Sequence, residues 1–154
     1  MQLVYSFCAL GLLLSPISQA DCSSASKQAA LNFMNSYTQY FKEDQPDPDK
    51  WVATSEALTP GFKAAYKQLI EHAKKADPEL GLGFDPIIDG QDSPDKFTEV
   101  TSCKEKSGIM LVKGSWEGAN EGMEVAIKPI KIKTQWLIDG AGIVNIPEKE
   151  QAAR

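Results

Sequence analysis

The residues whose types and spacing could do chemistry lie in the stretch FDPIIDGQDSPD, from Phe84 to Asp95. Its aspartates Asp85, Asp89 and Asp92 could form an acid pair for hydrolysis or give oxygen ligands to calcium. The stretch lacks the alternating aspartates and the closing glutamate of a calcium loop. Asp-Pro instead starts turns, in which aspartate side chains accept hydrogen bonds from nearby backbone amides. We therefore interpret these three aspartates as a structural turn and predict no metal site.

The other residues of this stretch favour a bend that joins two halves of a fold. Ile87 and Ile88 are expected to insert into the core, and Gly90 to permit a left-handed bend. Ser93-Pro94 is expected to start the first strand of a sheet. The stretch is therefore predicted to be part of the architecture.

The sequence outside this stretch contains no catalytic set. His72 is the single histidine, and near the end of a helix it is expected to meet the negative end of the helix dipole. A serine nucleophile of the Gly-x-Ser-x-Gly type is absent, and a zinc site needs more histidines and cysteines. No glycine loop of the phosphate-binding type is present. We predict a protein that is not an enzyme and uses no cofactor.

The N-terminus has the pattern of a signal peptide. Residues 3–14 form an apolar run, and Ser18-Gln19-Ala20 has the small-x-small pattern of a cleavage site. The run is too short to span a bilayer, and neither Cys8 nor Cys22 has the neighbours of a lipidated cysteine. We predict a signal peptide over 1–20, no membrane anchor, and a single exported domain over 21–154, periplasmic or secreted.

Cleavage would leave Cys22 and Cys103 as the cysteines of the mature chain. An even pair in an oxidising compartment most often forms a disulfide. Such a bond would close a loop of about 80 residues and stabilise the fold by roughly 4 kcal/mol on the chain-entropy model. The alternative is two free thiols, one of them a nucleophile.

The charge of the chain excludes one large class of partner. The formal net charge is −5, and the lysines are scattered rather than gathered on one predicted face. A nucleic acid requires a basic surface. We therefore predict no nucleic-acid partner and an electrostatic preference for cationic ones.

Three helices are expected before the aspartate stretch. The first is predicted from a cap at Ser24 or Ser26 to about Lys42, with apolar residues recurring at helical spacing. A short helix over 50–57 follows an acidic, proline-broken linker. The third is expected to begin at Thr59-Pro60, a capping residue followed by proline, and to end before Pro78.

After the aspartate stretch the hydrophobic period changes to two. Four strands are expected, over 96–104, 107–116, 122–134 and 135–146. In the third strand the alternation of residues expected to face inward shifts by one position at Pro129. This shift predicts a bulge or an edge position there. Helices followed by an antiparallel meander predict an α+β fold, with N-terminal helices packed on a curved antiparallel sheet of about four strands.

Three segments carry a resemblance to a known family. They are 66–72 in the third helix, the Asp-Pro-x-x-x-x-Gln-Asp element over 85–92, and Trp136-Leu137-Ile138-Asp139-Gly140. With these segments the chain resembles the bacterial secreted domain-of-unknown-function 3828 family, of the nuclear-transport-factor-2-like (cystatin-like) fold. The resemblance covers roughly 30–147 and implies an exported domain with a cone-shaped pocket. It implies no catalytic residues, since that family has none assigned.

Two functions from different classes fit these features. The first is an exported, non-enzymatic domain that binds another protein, such as an immunity or inhibitor protein against an envelope enzyme or toxin. Its acidic segments 43–49 and 117–121 could meet a basic surface. The alternative is a protein that binds a small molecule in a pocket between the helices and the sheet. The aromatic residues predicted to line that pocket are Tyr37, Tyr40, Trp51, Tyr66, Trp116 and Trp136.

Overall fold

A computed structural model describes residues 22–43 and 46–153, so the predicted signal peptide lies outside the described residues. Within them, three helices precede a four-stranded antiparallel sheet of order β1-β2-β3-β4. This order confirms the predicted α+β class with helices first. The elements are α1 (Ser24–Tyr40), α2 (Pro48–Thr54), α3 (Pro60–Ala76), β1 (Lys96–Lys104), β2 (Ile109–Ser115), β3 (Gly122–Ile132), β4 (Gln135–Ala141) and a 3-10 turn (Glu148–Glu150).

Both ends of α1 differ from the prediction. Its cap is neither Ser24 nor Ser26, because the Oγ of Ser23 accepts a hydrogen bond from the backbone N–H of Ser26 at 3.2 Å. The helix ends at Tyr40 rather than Lys42, since the chain tightens there into turns with hydrogen bonds between residues three apart.

The second helix begins earlier than predicted. It covers 48–54 rather than 50–57, because the carboxylate of Asp47 caps it by accepting from the backbone N–H of Lys50 at 3.0 Å. Pro48 then occupies the first turn, where its fixed φ suits a helix. The predicted start of α3 is confirmed, with the Thr59 hydroxyl accepting from the N–H of Phe62 at 3.0 Å.

Three strands are shorter than predicted, because turns with positive φ begin within the predicted spans. Gly108 has φ 69°, so β2 begins only at Ile109. Lys133 has φ 56° and turns the chain between β3 and β4. Gly142 has φ 58°, so β4 ends at Ala141 instead of Ile146. In such turns the backbone leaves the extended conformation that a sheet needs.

The predicted irregularity at Pro129 is confirmed as a bulge. Lys128 pairs with Gly140 and Pro129 pairs with Ile138, so Asp139 of β4 has no partner across the sheet. The displaced Asp139 carboxylate accepts hydrogen bonds from the Thr59 hydroxyl at 2.8 Å and from Lys128 Nζ at 3.0 Å. The bulge therefore ties the start of α3 to the sheet.

The main core fills the space between the helices and the sheet. Ile87 and Ile88 insert into it, at 0% and 2% exposure, as predicted. The largest fully buried side chains that join them there include Tyr37, Phe62, Met34, Met110, Ile127 and Ile138. The predicted disulfide is present, and it joins Cys22, just before α1, to Cys103 in β1 with Cα atoms 5.9 Å apart. The described residues include no helix with the length and apolar character needed to cross a membrane.

The Asn35 side chain of α1 holds the first strand against the helix. Its Oδ1 accepts from the backbone N–H of Phe97 at 2.8 Å, and its Nδ2 donates to the Phe97 carbonyl at 2.9 Å. Both backbone groups belong to an edge strand, which has a neighbouring strand on one side only.

Replacing Asn35 with alanine is expected to lower the free energy of unfolding by about 2 kcal/mol, because both part-buried groups of Phe97 lose their partner. Urea unfolding of the wild type and the variant measures this loss. Asn32→Ala, on an exposed position of the same helix, is the matched control and is expected to change stability by no more than about 0.5 kcal/mol. Equal effects of the two substitutions would contradict this account of the edge.

Candidate functional site

The aspartate stretch folds into a closed turn around the side chain of Asp85. Its Oδ1 accepts hydrogen bonds from the backbone N–H groups of Ile87 at 2.8 Å and Ile88 at 3.4 Å. The backbones of Asp85 and Gly90 also exchange two hydrogen bonds, at 2.9 and 3.3 Å. The residue in the left-handed region is Asp89, at φ 54°, so the prediction that Gly90 makes this bend was wrong. Aspartate tolerates that conformation better than most residues.

The three aspartates of the predicted turn have different surroundings. Asp92 is exposed, Asp89 is half-buried, and Asp85 is half-buried and lines a cavity. Neither Asp89 nor Asp92 lines that cavity. The stretch thus combines a structural turn with one aspartate that lines the cavity.

The cavity beside Asp85 has a volume of about 480 Å³. Its walls come from the C-terminal part of α1, the start of α2, the second half of α3 and the segment 80–86. We call it the Asp85 cavity. The lining side chains that matter for its chemistry are Tyr37, Phe41, Asp49, Tyr66, Lys74 and Asp85.

Two tyrosines donate hydrogen bonds to two carboxylates in this cavity. The hydroxyl of Tyr37, on α1, donates to Asp85 Oδ2 at 2.8 Å. The hydroxyl of Tyr66, on α3, donates to Asp49 Oδ1 at 3.0 Å. Lys74 Nζ lies 3.5 Å from the other oxygen of Asp49. Each helix therefore contributes a polar group to the cavity wall.

Burial dominates the electrostatics of the Asp85–Tyr37 pair. It raises the pKa of Asp85 above its ordinary value, against the hydrogen bonds from Tyr37, Ile87 and Ile88, which lower it. The pKa of Tyr37 is raised by burial first, and then by the charge and hydrogen bond of Asp85. Tyr37 therefore keeps its proton at neutral pH and acts as a donor.

The Tyr66 hydroxyl is likewise held in its protonated form. Burial raises its pKa most, followed by the hydrogen bond and the charge of Asp49. Smaller contributions come from the charges of Asp85 and Asp47. Carboxylates from two segments of the chain, the start of α2 and the aspartate stretch, therefore act on the same part of the cavity.

The carboxylate of Asp85 has no cationic partner among the described residues. No salt bridge between them includes it, and Lys74, which also lines the cavity, lies against Asp49 instead. Three hydrogen bonds reach Asp85, two of them at Oδ1 and one at Oδ2. A carboxylate oxygen can accept two, so Oδ2 retains one acceptor position.

The six predicted aromatic residues do not share one pocket, and only Tyr37 and Tyr66 line the Asp85 cavity. The Tyr40 hydroxyl accepts from the N–H of Asp47 at 2.8 Å and lines a shallow groove with Trp51. Trp51 and Trp136 line a third cavity beside β4, and the Trp51 ring packs on Tyr37 at 4.8 Å.

Trp116 lies apart from the other aromatic residues of the predicted pocket. Its Nε1 donates to the carbonyl of Ser93 at 3.1 Å, which fixes the start of β1. It lines none of the cavities that hold the other five. The side chain of Trp116 therefore has a structural contact in place of the predicted ligand contact.

Asp49 and Lys74 are site residues that sequence reasoning missed. Tyr66, Ile70 and Lys74 recur every four residues on α3, so their spacing could have shown that they share a face. No comparable signal places Asp49 there, because it stands in an acidic run that leads into the first turn of α2. His72 is exposed and does not line the cavity. Within the described ranges, no group of three or more His, Cys, Asp or Glu is placed to hold a metal ion.

Comparisons of the chain with protein-family models, with curated proteins and with solved structures found no match. The resemblance to the domain-of-unknown-function 3828 family therefore stays a prediction.

Proposed function

We propose that the protein is an exported, non-enzymatic binding protein that holds a small molecule in the Asp85 cavity. The observation that carries this proposal is the cavity of about 480 Å³ with the half-buried Asp85 carboxylate in its wall. Small-molecule sites are typically concave and mostly apolar, with a few placed polar groups. The disulfide between Cys22 and Cys103 supports export, since such bonds persist in oxidising compartments.

Among the described residues, the other acids that line the cavity are engaged with protein groups, which supports binding without catalysis: the Asp47 carboxylate accepts from the backbone N–H of Lys50 and caps α2. Hydrolysis by paired carboxylates would require another acid at a fixed distance. Asp92, the natural candidate from the same stretch, is exposed and does not line the cavity. Asp49 does line it, but its two oxygens contact Tyr66 and Lys74.

A thermal-shift screen with a library of small polar and aromatic molecules tests this proposal. Compounds that raise the melting temperature of the wild type are expected to lose that effect in Ile70→Trp, because a bulky ring on this cavity-lining residue fills the site. Gln68→Trp adds the same ring on an exposed face of α3 away from the cavity. The compounds are expected to raise the melting temperature of this control variant as they do for the wild type. A screen without stabilising compounds, or with hits that bind Ile70→Trp equally well, would overturn the proposal.

A protein partner is the second candidate, and one exposed side chain favours it. Leu80 is 70% exposed, and among the described residues it is the large hydrophobic side chain that stands out in this way. It lies at the wall of the Asp85 cavity. An immunity or inhibitor protein could use such a side chain as an anchor on its target.

Affinity capture from an envelope extract tests this second candidate. A specific partner is expected to be retained by the wild type at low and moderate salt, and to be lost with Leu80→Asp. Leu80→Asp is expected to fold normally because the side chain is exposed. Capture of no protein at either salt concentration, or equal capture by the variant, would contradict it.

A further inference from the structure

The Asp85 carboxylate is a half-buried acid that lacks a counter-charge. Burial of an ionised carboxylate is unfavourable unless it is paired and hydrogen-bonded. Here the hydrogen bonds are present, from Tyr37, Ile87 and Ile88, but no Lys, Arg or His of the described residues forms a salt bridge with it. Its unfilled acceptor position on Oδ2 belongs to a group that lines the cavity.

The walls around this carboxylate suit a positively charged organic group. The partly exposed rings of Phe41 and Phe84 contribute to the lining, and aromatic faces attract ammonium groups through their quadrupoles. Tyr37 and Tyr66 are buried, and their hydroxyl groups donate to Asp85 and Asp49. Ile70 adds apolar surface on the side of α3.

We infer that the ligand of the Asp85 cavity is a small aromatic or aliphatic amine, whose ammonium group pairs with Asp85 Oδ2 while its apolar body packs on the aromatic wall. This inference rests on the proposed small-molecule function. The ammonium group supplies the missing counter-charge, and the Tyr37 hydroxyl stays in place as the second donor to the same oxygen.

An anionic ligand fits the cavity poorly. Three carboxylates line it, those of Asp47, Asp49 and Asp85, whereas Lys74 is the basic side chain among the lining residues. The ammonium group of Lys74 already lies 3.5 Å from Asp49. A carboxylate or phosphate in this space would therefore face like charges with its nearest cation engaged.

Isothermal titration calorimetry with three probes of similar shape tests the inference. The probes are phenethylamine, which is a cation at neutral pH, phenethyl alcohol, which is neutral, and phenylacetate, which is an anion. Phenethylamine is expected to bind at least about tenfold more tightly than the alcohol, which corresponds to one well-placed ionic hydrogen bond. Phenylacetate is expected to show no binding.

Two variants assign the effect to the charge of Asp85. Asp85→Asn keeps an acceptor oxygen for the turn and removes the charge, so it is expected to lose the preference for the amine. Asp92→Asn makes the same change of net charge on an exposed residue of the same stretch, and is expected to keep it. Loss of the preference in both variants would show an effect of net charge alone and overturn the inference.

The outcomes separate this inference from the function on which it rests. If the alcohol or phenylacetate bound more tightly than phenethylamine and Ile70→Trp blocked that binding, the inference of an amine ligand would be overturned. The proposal of a small-molecule site would then stand. Binding of none of the three probes would contradict the amine, and the library screen then decides the broader proposal. Equal amine affinity in the wild type and in Asp85→Asn would also contradict it.

Discussion

Asp85→Ala is expected to lower the free energy of unfolding by about 3 kcal/mol, the largest loss that we expect from a substitution in the aspartate stretch. Alanine removes the acceptor for the backbone N–H groups of Ile87 and Ile88 and for the buried Tyr37 hydroxyl. A buried donor without a partner costs about 1–3 kcal/mol. Urea unfolding followed by circular dichroism measures the loss.

Two further variants show whether the acceptor role is the cause. Asp85→Asn retains a side-chain oxygen at the same place and is expected to lose only about 1 kcal/mol. Asp92 lies at an exposed position of the same stretch. The free energy of unfolding of Asp92→Ala is therefore expected to stay within about 0.5 kcal/mol of that of the wild type. If Asp92→Ala proved as damaging as Asp85→Ala, the closed turn around Asp85 could not be the reason.

The raised pKa of Asp85 gives this site a pH dependence of defined sign. Because its pKa is higher in the folded than in the unfolded chain, the folded state holds the proton more tightly. The resulting stability is full below the unfolded pKa of about 3.9 and is lost as pH rises through the folded pKa. Relative to Asp85→Asn, the wild type is therefore expected to lose stability over that window, which unfolding curves between about pH 3 and pH 7 would show. A difference that stays constant with pH would contradict the assignment.

Removal of the disulfide is expected to have the largest effect of all. Cys22 and Cys103 are 81 residues apart in sequence, and a cross-link of that span stabilises by roughly 4 kcal/mol on the chain-entropy model. The bond also anchors the start of α1 to β1. The double variant Cys22→Ser with Cys103→Ser is therefore expected to unfold at much lower guanidinium concentration.

A reductant separates the loss of the bond from the effect of the substitutions. Dithiothreitol is expected to bring the wild type close to the double variant and to leave the double variant unchanged. Alkylation of the denatured wild type before and after reduction counts the thiols that the bond protects. If the reductant left the stability of the wild type unchanged, the bond would contribute little to that stability.

The positions of the main elements could be predicted because their signals are local. The apolar stripes of α1 and α3, Thr59-Pro60 at the start of α3, and the alternation in β3 each act within a few residues. The slip at Pro129 similarly predicted the bulge opposite Asp139. The errors lie at element ends such as Ser23 and Gly142, where side-chain caps and positive φ values decide the boundary.

The Asp85 cavity was less predictable because its residues meet only in the folded chain. Tyr37 and Asp85 are 48 residues apart, and Tyr66 and Asp49 are 17 apart. The sequence predicted Tyr37 and Tyr66 as aromatic pocket residues and Asp85 as a turn residue. It carried no sign that Trp116 and Trp136 would lie elsewhere, because hydrophobic periodicity shows which residues are buried, and not which of them share a cavity.

The most direct test of the central claim, that Asp85 forms part of a binding site, is a nuclear magnetic resonance titration of the protein with phenethylamine. The backbone amides of Ile87 and Ile88 donate to Asp85 and report on its charge and position. We expect their signals to shift most, together with those of Tyr37 and Tyr66, and Asp85→Asn to abolish these shifts. Shifts concentrated on the sheet, or none at a saturating concentration of the amine, would contradict it.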